Sequence, residues 1–318
     1  MGLLPVMVLA STMLFDRNYF KHPFQGWWVV VWPSTFAVHF YLLRTMETVW
    51  NEKISAGWHV AGALLATLLL SWEAGWLLDR LANGADVWAF IAWGGVPAVV
   101  AVALIRFRSH LGWPFDSWEN AYRGWLPSLL VLSLMAWTIL GIAMNGDPRP
   151  LPYLPLLNPL DLMQVFVFLV TISWVLWVKR ETVAPAAGLP PSIRWGLPAA
   201  GIFLWLNAVV ARTVHHLANV RYDGEAMFRS DLFHAAIAVL WGLLALGCMV
   251  ASNRLKRRTV WFAGAGLLAV VVVKLFMVDL SGSGTVSRIV SFLAVGGLML
   301  VIGFFTPLPP AESKGEGA

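Results

Sequence analysis

Residues 158–180 read NPLDLMQVFVFLVTISWVLWVKR. Asn158 is a good helix N-cap, Pro159 fits the first helical position, and Asp161 complements the positive start of the helix dipole. From Leu160 to Val178 the run is apolar apart from Asp161 and a few uncharged polar residues. At about 1.5 Å per residue this run covers roughly 28 Å, close to the ~30 Å hydrocarbon core of a bilayer. Trp177 stands near its end, where an indole ring favours the headgroup layer, and Lys179 and Arg180 close it. The stretch predicts a helix that crosses a membrane.

The same pattern recurs outward in both directions. Apolar runs at roughly 1–15, 27–43, 57–78, 87–105, 125–144, 160–178, 195–216, 231–251, 259–279 and 287–305 predict an all-α polytopic transmembrane helix bundle of about ten spans, nine or ten by the status of the first. They form a single transmembrane domain over 1–306, with a disordered cytoplasmic tail at 307–318, rich in Pro, Gly and charge. The first run, Met1 to Phe15, has no basic leader and no small-x-small cleavage pattern, so it reads as a retained segment. It would cover only about 22 Å. No internal repeat or soluble domain interrupts the series.

Composition agrees. Of 318 residues, 59% are hydrophobic and only 12% charged, and the mean hydropathy is +0.71. A soluble domain carries roughly 25% charged residues. A core of this size cannot hide so much apolar surface from water, so lipid serves as the solvent and membrane lipids are the expected partners. Many of the 19 Trp, among them Trp27, Trp58, Trp125 and Trp195, sit near the ends of apolar runs. A net charge of +5 and a pI near 9.6 would suit nucleic acid, but the basic residues lie in short loops between apolar runs, and nucleic acid is rejected as a partner. Cys248 is the one cysteine, which excludes an internal disulfide and a cysteine zinc site. No P-loop, HExxH, GxSxG or dinucleotide fingerprint occurs, and no cofactor or metal is expected.

The loops carry an orientation. The even loops with the tail hold thirteen Lys and Arg, including Arg106, Arg123, Lys179 and Arg257, and the odd loops hold six, including Arg80, Arg149 and Arg221. The positive-inside rule places the even loops and the C-terminus in the cytoplasm of a bacterium, and ten spans place the N-terminus there too. The odd loops then face the periplasm. They include the Pro-rich loop before Asp161, the loop from His215 to Asp231, and the turn from Asp279 to Arg288.

Polar residues of the C-terminal half gather on that outer side. The loop NGDPRPLPYLPLLNPLD (Asn145–Asp161) is stiffened by five prolines. Asp161 reads either as a helix cap or as a catalytic base or cation ligand at the membrane surface. Arg212, His215 and His216 occupy i, i+3 and i+4 of one helical face near Asn207. Cations at a helix C-terminus suit the dipole and can snorkel to water, and ionisable residues inside a span also mark anion-binding or proton-handling sites. Adjacent histidines diverge on a helix, which argues against a chelate. The mixed charges of ANVRYDGEAMFRSD (Ala218–Asp231) most simply form a solvated loop with local ion pairs, with Ser230 or Asp231 capping the next span.

Lys274, Asp279 and Arg288 form a third group. Asp279 stands at a helix C-terminus and Arg288 in a first turn, so the dipole disfavours each alone, and across the turn Ser281–Gly284 they can neutralise one another. Lys274 lies one turn deeper and needs a partner or a water-filled cavity. The group reads as a structural ion-pair clasp, or as an electropositive pocket for a phosphate or carboxylate. The even spans begin on the outer face and direct their positive N-termini to the depth of Arg212, Lys274 and Arg288. His39, His59 and His234 are single histidines at apolar runs and read as packing residues, and Glu73 and Asp79 can join an outer polar cavity. Gly264-Ala265-Gly266 and Gly296-Gly297 suit close helix packing.

The segments LPYLPLLNPLDL (Leu151–Leu162), WLNAVVARTVHH (Trp205–His216) and KLFMVDLSGSGTVSRIVSFLAVGGLMLVIGFF (Lys274–Phe305), in this order, resemble the C-terminal part of the large bacterial membrane proteins grouped as domain of unknown function 2339. The resemblance is strongest over 151–310. It implies a multi-spanning envelope protein and supplies no activity. Members are typically longer, with further spans and often a coiled-coil N-terminal stretch, so this chain reads as a short paralogue, a split product or a fragment. The leading functional expectation is an inner-membrane protein that handles an anionic lipid or lipid-linked saccharide on the outer face. Arg212, His216, Lys274 and Arg288 would bind the anion, His215 or Asp161 would move a proton, and Asp279 would orient Arg288. The alternatives are a non-catalytic structural or assembly subunit, and a transporter or flippase, against which the scarcity of polar residues at the cytoplasmic span ends counts.

Overall fold

The computed structural model describes residues 22–82, 86–106, 112–178 and 188–274, with single positions at 289, 292, 293, 296, 297 and 300. Among the described residues every regular element is helical. In chain order these are α1 (Trp28–Met46), α2 (Glu52–Leu81), α3 (Asp86–Arg106), a π-helical turn (Asn120–Trp125) that runs into α4 (Leu126–Ile142), α5 (Pro159–Val178), α6 (Pro191–Ala218), the short α7 (Gly224–Phe228), α8 (Asp231–Leu255) and α9 (Arg258–Lys274).

Six of these, α2, α3, α4 with its π turn, α5, α6 and α8, are long and apolar enough to cross a membrane. The runs expected at 27–43 and 259–279 correspond to α1 and α9, of 19 and 17 residues. The run at 1–15 and the tail lie outside the described residues, and the run at 287–305 falls almost wholly outside them.

Helix ends differ from the apolar runs where a cap or a turn decides them. α2 starts at Glu52 rather than 57 because Asn51 caps it, its Oδ1 accepting from the Lys53 amide at 2.9 Å. The fifth span is entered five residues early through the π turn, and α4 stops at Ile142. The stretch after His215 contains α7, capped by Asp223, whose Oδ1 accepts from the Ala226 amide at 2.8 Å. Ser230 caps α8 through the Phe233 amide.

The chain divides into two compact units, residues 1–206 and 207–318, with the boundary inside α6. In the first unit α5 is the most enclosed of the candidate spans, with more than half of it buried. Leu126, Leu130 and Leu134 of α4 pack with Val167 and Val170 of α5 and Ala98 and Ala101 of α3. Gly94 permits a close approach: a Cβ there would lie 2.6 Å from the Trp137 ring. Trp137 is held in place by its Nε1–H, which donates to the Phe90 carbonyl at 2.9 Å.

In the second unit α8 and α9 form an antiparallel hairpin, turned at Lys256 in the left-handed conformation that usually favours glycine at a helix end. Gly264 lets the two backbones meet, since a Cβ would lie 2.8 Å from the Ala245 carbonyl, whereas Gly266 faces open space. The end of α6 joins α8 through the Trp241 Nε1–H, which donates to Asn207 Oδ1 at 2.8 Å.

Candidate functional site

The start of α5 places Asp161. Asn158 Oδ1 accepts from the Leu160 amide at 2.8 Å, as the cap reading of NPLD requires. Its Nδ2 donates to the Gly146 carbonyl at 2.7 Å, which closes the Pro-rich loop on itself. One turn in, Asp161 is fully buried, and Trp205 Nε1–H donates to its Oδ1 at 3.2 Å. Gln164, also fully buried, donates to the Thr138 carbonyl at 3.3 Å. Asn158, Asp161 and Gln164 therefore form a polar line on the inward face of α5. Asp161 does not stand at a wet surface; it is an enclosed carboxylate, which must be hydrogen-bonded to be tolerated.

The second unit holds the cationic residues. Arg212 is fully buried on α6. His215 Nδ1 lies 2.7 Å from the Val220 carbonyl, so that nitrogen donates. The His215 ring meets those of His216 and Tyr222 with centres 4.6 and 5.7 Å apart. Lys274 Nζ donates to the His234 carbonyl at 3.0 Å, which brings an ammonium to the first turn of α8. His234 Nε2 itself lies 2.6 Å from the Phe228 carbonyl. The end of α6, the start of α8 and the end of α9 thus share one end of this unit.

The intervening loop pairs its charges locally. Arg221 donates to Asp223, and Arg229 meets Glu225 at 2.6 Å. The Arg221 hydrogen bond, helped by the Ala226 amide, holds the Asp223 carboxyl below the ordinary carboxylate range, and raises the Arg221 guanidinium in turn. Asp279 and Arg288 lie outside the described residues. Of the expected site, Arg212, His215, His216 and Lys274 fall in the second unit, and Asp161 belongs to the first. Among the described residues no group of three or more His, Cys, Asp or Glu could hold a metal ion.

The most elaborate polar cluster lies elsewhere in the first unit and was not anticipated. Glu47, in the turn after α1, accepts from two indoles on a single oxygen, Trp113 at 2.5 Å and Trp118 at 2.8 Å. The Arg44 guanidinium lies over the Trp113 ring at 5.4 Å. His59 is fully buried, with Nδ1 3.1 Å from the Tyr122 hydroxyl and its ring centre 4.9 Å from that of Trp118. His39 is also buried, beside Gly62. Burial alone would raise the Glu47 pKa, but the two indole donors, with the Arg44 guanidinium nearby, outweigh it and hold the carboxyl below its usual value. A sequence signal existed: Glu47 and the pair Trp113 and Trp118 lie in the second and fourth loops, on one side of the expected topology.

Glu73 has a different role from the polar cavity expected. It accepts from His22 Nδ1 at 2.8 Å and from the Phe24 amide at 3.2 Å, while His22 stacks on Trp76 with ring centres 3.7 Å apart. It fastens the segment before α1 to α2.

No curated protein and no solved structure matches this chain. The family described as predicted membrane protein (DUF2339) matches residues 1–309, well beyond the C-terminal half that carried the resemblance. The chain, all-helical where described and with six helices fit to cross a bilayer, belongs to that family of membrane proteins along essentially its whole length.

Proposed function

We propose that this membrane protein spans the bacterial inner membrane about ten times, with both termini in the cytoplasm, and binds an anionic lipid headgroup or lipid-linked saccharide at its periplasmic end. The observation that carries the reading is the place of Lys274. Its ammonium lies against the first turn of α8, where the helix dipole already supplies partial positive charge. A helix start and an ammonium brought to one place both favour an anion there. Arg212, His215 and His216 stand at the same end of this unit, and a cation inside a span is costly enough to suggest a function. In this reading His215 moves a proton through Nε2, and Asp279 and Arg288 extend the site.

The test is purification in native lipid, with bound small molecules identified by mass spectrometry for the wild type, Lys274→Gln and the double variant Arg212→Ala, Lys274→Ala. A specific anionic lipid or polyprenyl-linked species that is lost from folded Lys274→Gln supports the site. The same bulk lipids in both would remove it. A second reading, a structural or assembly subunit, is favoured by the way Lys274 and His215 also tie helix ends to backbone carbonyls. It predicts lower abundance of the variants and no separate change in bound lipid.

A further inference from the structure

Two cavities lie end to end between α2 and α4. The first, of about 640 Å³, has Ala56, Gly57 and Ala61 of α2 on one side and Trp125 and Leu129 on the other. The second, of about 540 Å³, continues between Leu68 of α2 and Leu140 of α4, with Phe90 and Pro97 of α3 as its floor. Leu64 lines both. From Glu52 to Ser71 the groove follows α2 for about 28 Å, most of the thickness of a bilayer core.

Its polarity is graded. Glu52, Lys53 and Asn120 all stand at one end, beside the exposed indole of Trp125. Beyond them the surface is apolar, because the hydroxyls of Thr67, Ser71 and Ser133 are turned onto the carbonyls of Ala63, Thr67 and Leu130 in their own helices. A groove that is charged at one mouth and greasy along its length suits an amphiphile with a single chain laid in it. At Gly57 a Cβ would meet nothing within 4 Å, so the α2 side of the groove is open there. Among the described residues the mouth carries one acidic and one basic side chain in neighbouring positions, which complements a headgroup holding both charges.

We infer that this groove seats one acyl chain of a zwitterionic phospholipid of the ethanolamine type, with its phosphate at Lys53 and Asn120 and its ammonium at Glu52. The inference is separate from the anion site proposed above: it concerns the first unit and a headgroup of no net charge, and either can fail without the other.

The full chain would be reconstituted in nanodiscs of mixed phosphatidylethanolamine and phosphatidylglycerol. A trace of either lipid with a diazirine in one acyl chain is added, and labelled peptides are located by mass spectrometry after irradiation. The expected result is label from the ethanolamine probe concentrated on peptides that contain Ala56–Leu64 and Leu129–Leu140, and lost from them in Gly57→Leu, whose side chain projects into the groove. The other lipid-facing helices keep their label, which shows that the variant is folded. Glu52→Lys is expected to turn the preference toward the glycerol probe. Even labelling of all lipid-facing helices, unchanged by Gly57→Leu, would overturn the inference. So would cross-links from a photoreactive residue at position 57 to residues 1–21 or to a second copy of the chain, and so would equal labelling by both probes.

Discussion

Trp205 holds the carboxylate of Asp161 inside the first unit: its indole Nε1–H donates to Oδ1 at 3.2 Å, and both side chains are buried. The bond ties the first turn of α5 to α6, two helices fit to cross the membrane. Removing the donor to a buried acceptor costs more than the net worth of the bond, because the acceptor is away from water. Trp205→Phe keeps an aromatic ring against Phe168 and removes only the donor and some volume. It is expected to destabilise the protein by roughly 1–3 kcal/mol. Asp161→Asn, which keeps an accepting oxygen, should cost less, and the two changes together less than their sum. Thermal unfolding midpoints in lipid nanodiscs check this; a Trp205→Phe midpoint equal to the wild type would show that the bond contributes nothing.

Gly94 and Gly57 make opposite predictions from the same substitution. A Cβ at Gly94 would come within 2.6 Å of the Trp137 ring, and that ring cannot retreat freely, since it is hydrogen-bonded to Phe90 and stacked on it with centres 4.9 Å apart. Gly94→Ala is expected to cost about 1–3 kcal/mol through overpacking. Gly57→Ala meets open space and replaces a poor helix former, so it is expected to be neutral or slightly stabilising. The same melting assay separates them, and a tolerated Gly94→Ala would mean that α3 and α4 are less tightly joined than the Trp137 contact requires.

Helix positions were legible in the sequence because the bilayer forces long apolar runs and local caps end them. The run from Leu160 to Val178 and the cap at Asn158 appear in the structure within a residue of where NPLD places them. The ion pairing of Glu225 with Arg229 was legible for the same reason, being local at i and i+4. Asp161 was placed correctly on its helix, but its burial was not visible, since that depends on Trp205, 44 residues away. Glu47 was missed altogether. Its partners lie 66 and 71 residues on, and nothing in an apolar run reveals which helices become neighbours. Its neighbour His59 was read as a packing residue, and its burial among aromatic rings fits that reading.

The Glu47 cluster should make stability depend on pH in the acid range. The carboxyl is held below its ordinary value in the folded protein, so its contribution is complete above the unfolded-state pKa of about 4.3 and is lost as pH falls through the lower folded value. Wild type is therefore expected to lose melting temperature below about pH 4, with Glu47→Gln losing less over the same interval. At neutral pH Glu47→Gln is expected to cost about 1 kcal/mol, since the amide oxygen still accepts from one or both indoles but without charge. Parallel acid profiles of the two proteins would show that the acid sensitivity arises elsewhere.

The orientation proposed for the chain rests on loop charges and can be tested through its only cysteine. Cys248 lies within α8, and Cys248→Ser gives a cysteine-free background. Glu225 and Arg257 flank that helix, and both are exposed. The Glu225 side chain pairs with Arg229 at the surface, so its replacement costs little. With the basic residues around Arg257 retained in the cytoplasm, Glu225→Cys is expected to react with a membrane-impermeant maleimide on intact cells, and Arg257→Cys only after permeabilisation. The reverse pattern would invert the whole topology and move Arg212, His215 and Lys274 to the cytoplasmic side, which removes the periplasmic site. Reaction at both positions from outside would mean that α8 does not cross. Labelling only at Glu225 would place the first turn of α8, and with it the Lys274 ammonium, on the face where lipid-linked envelope precursors are exposed.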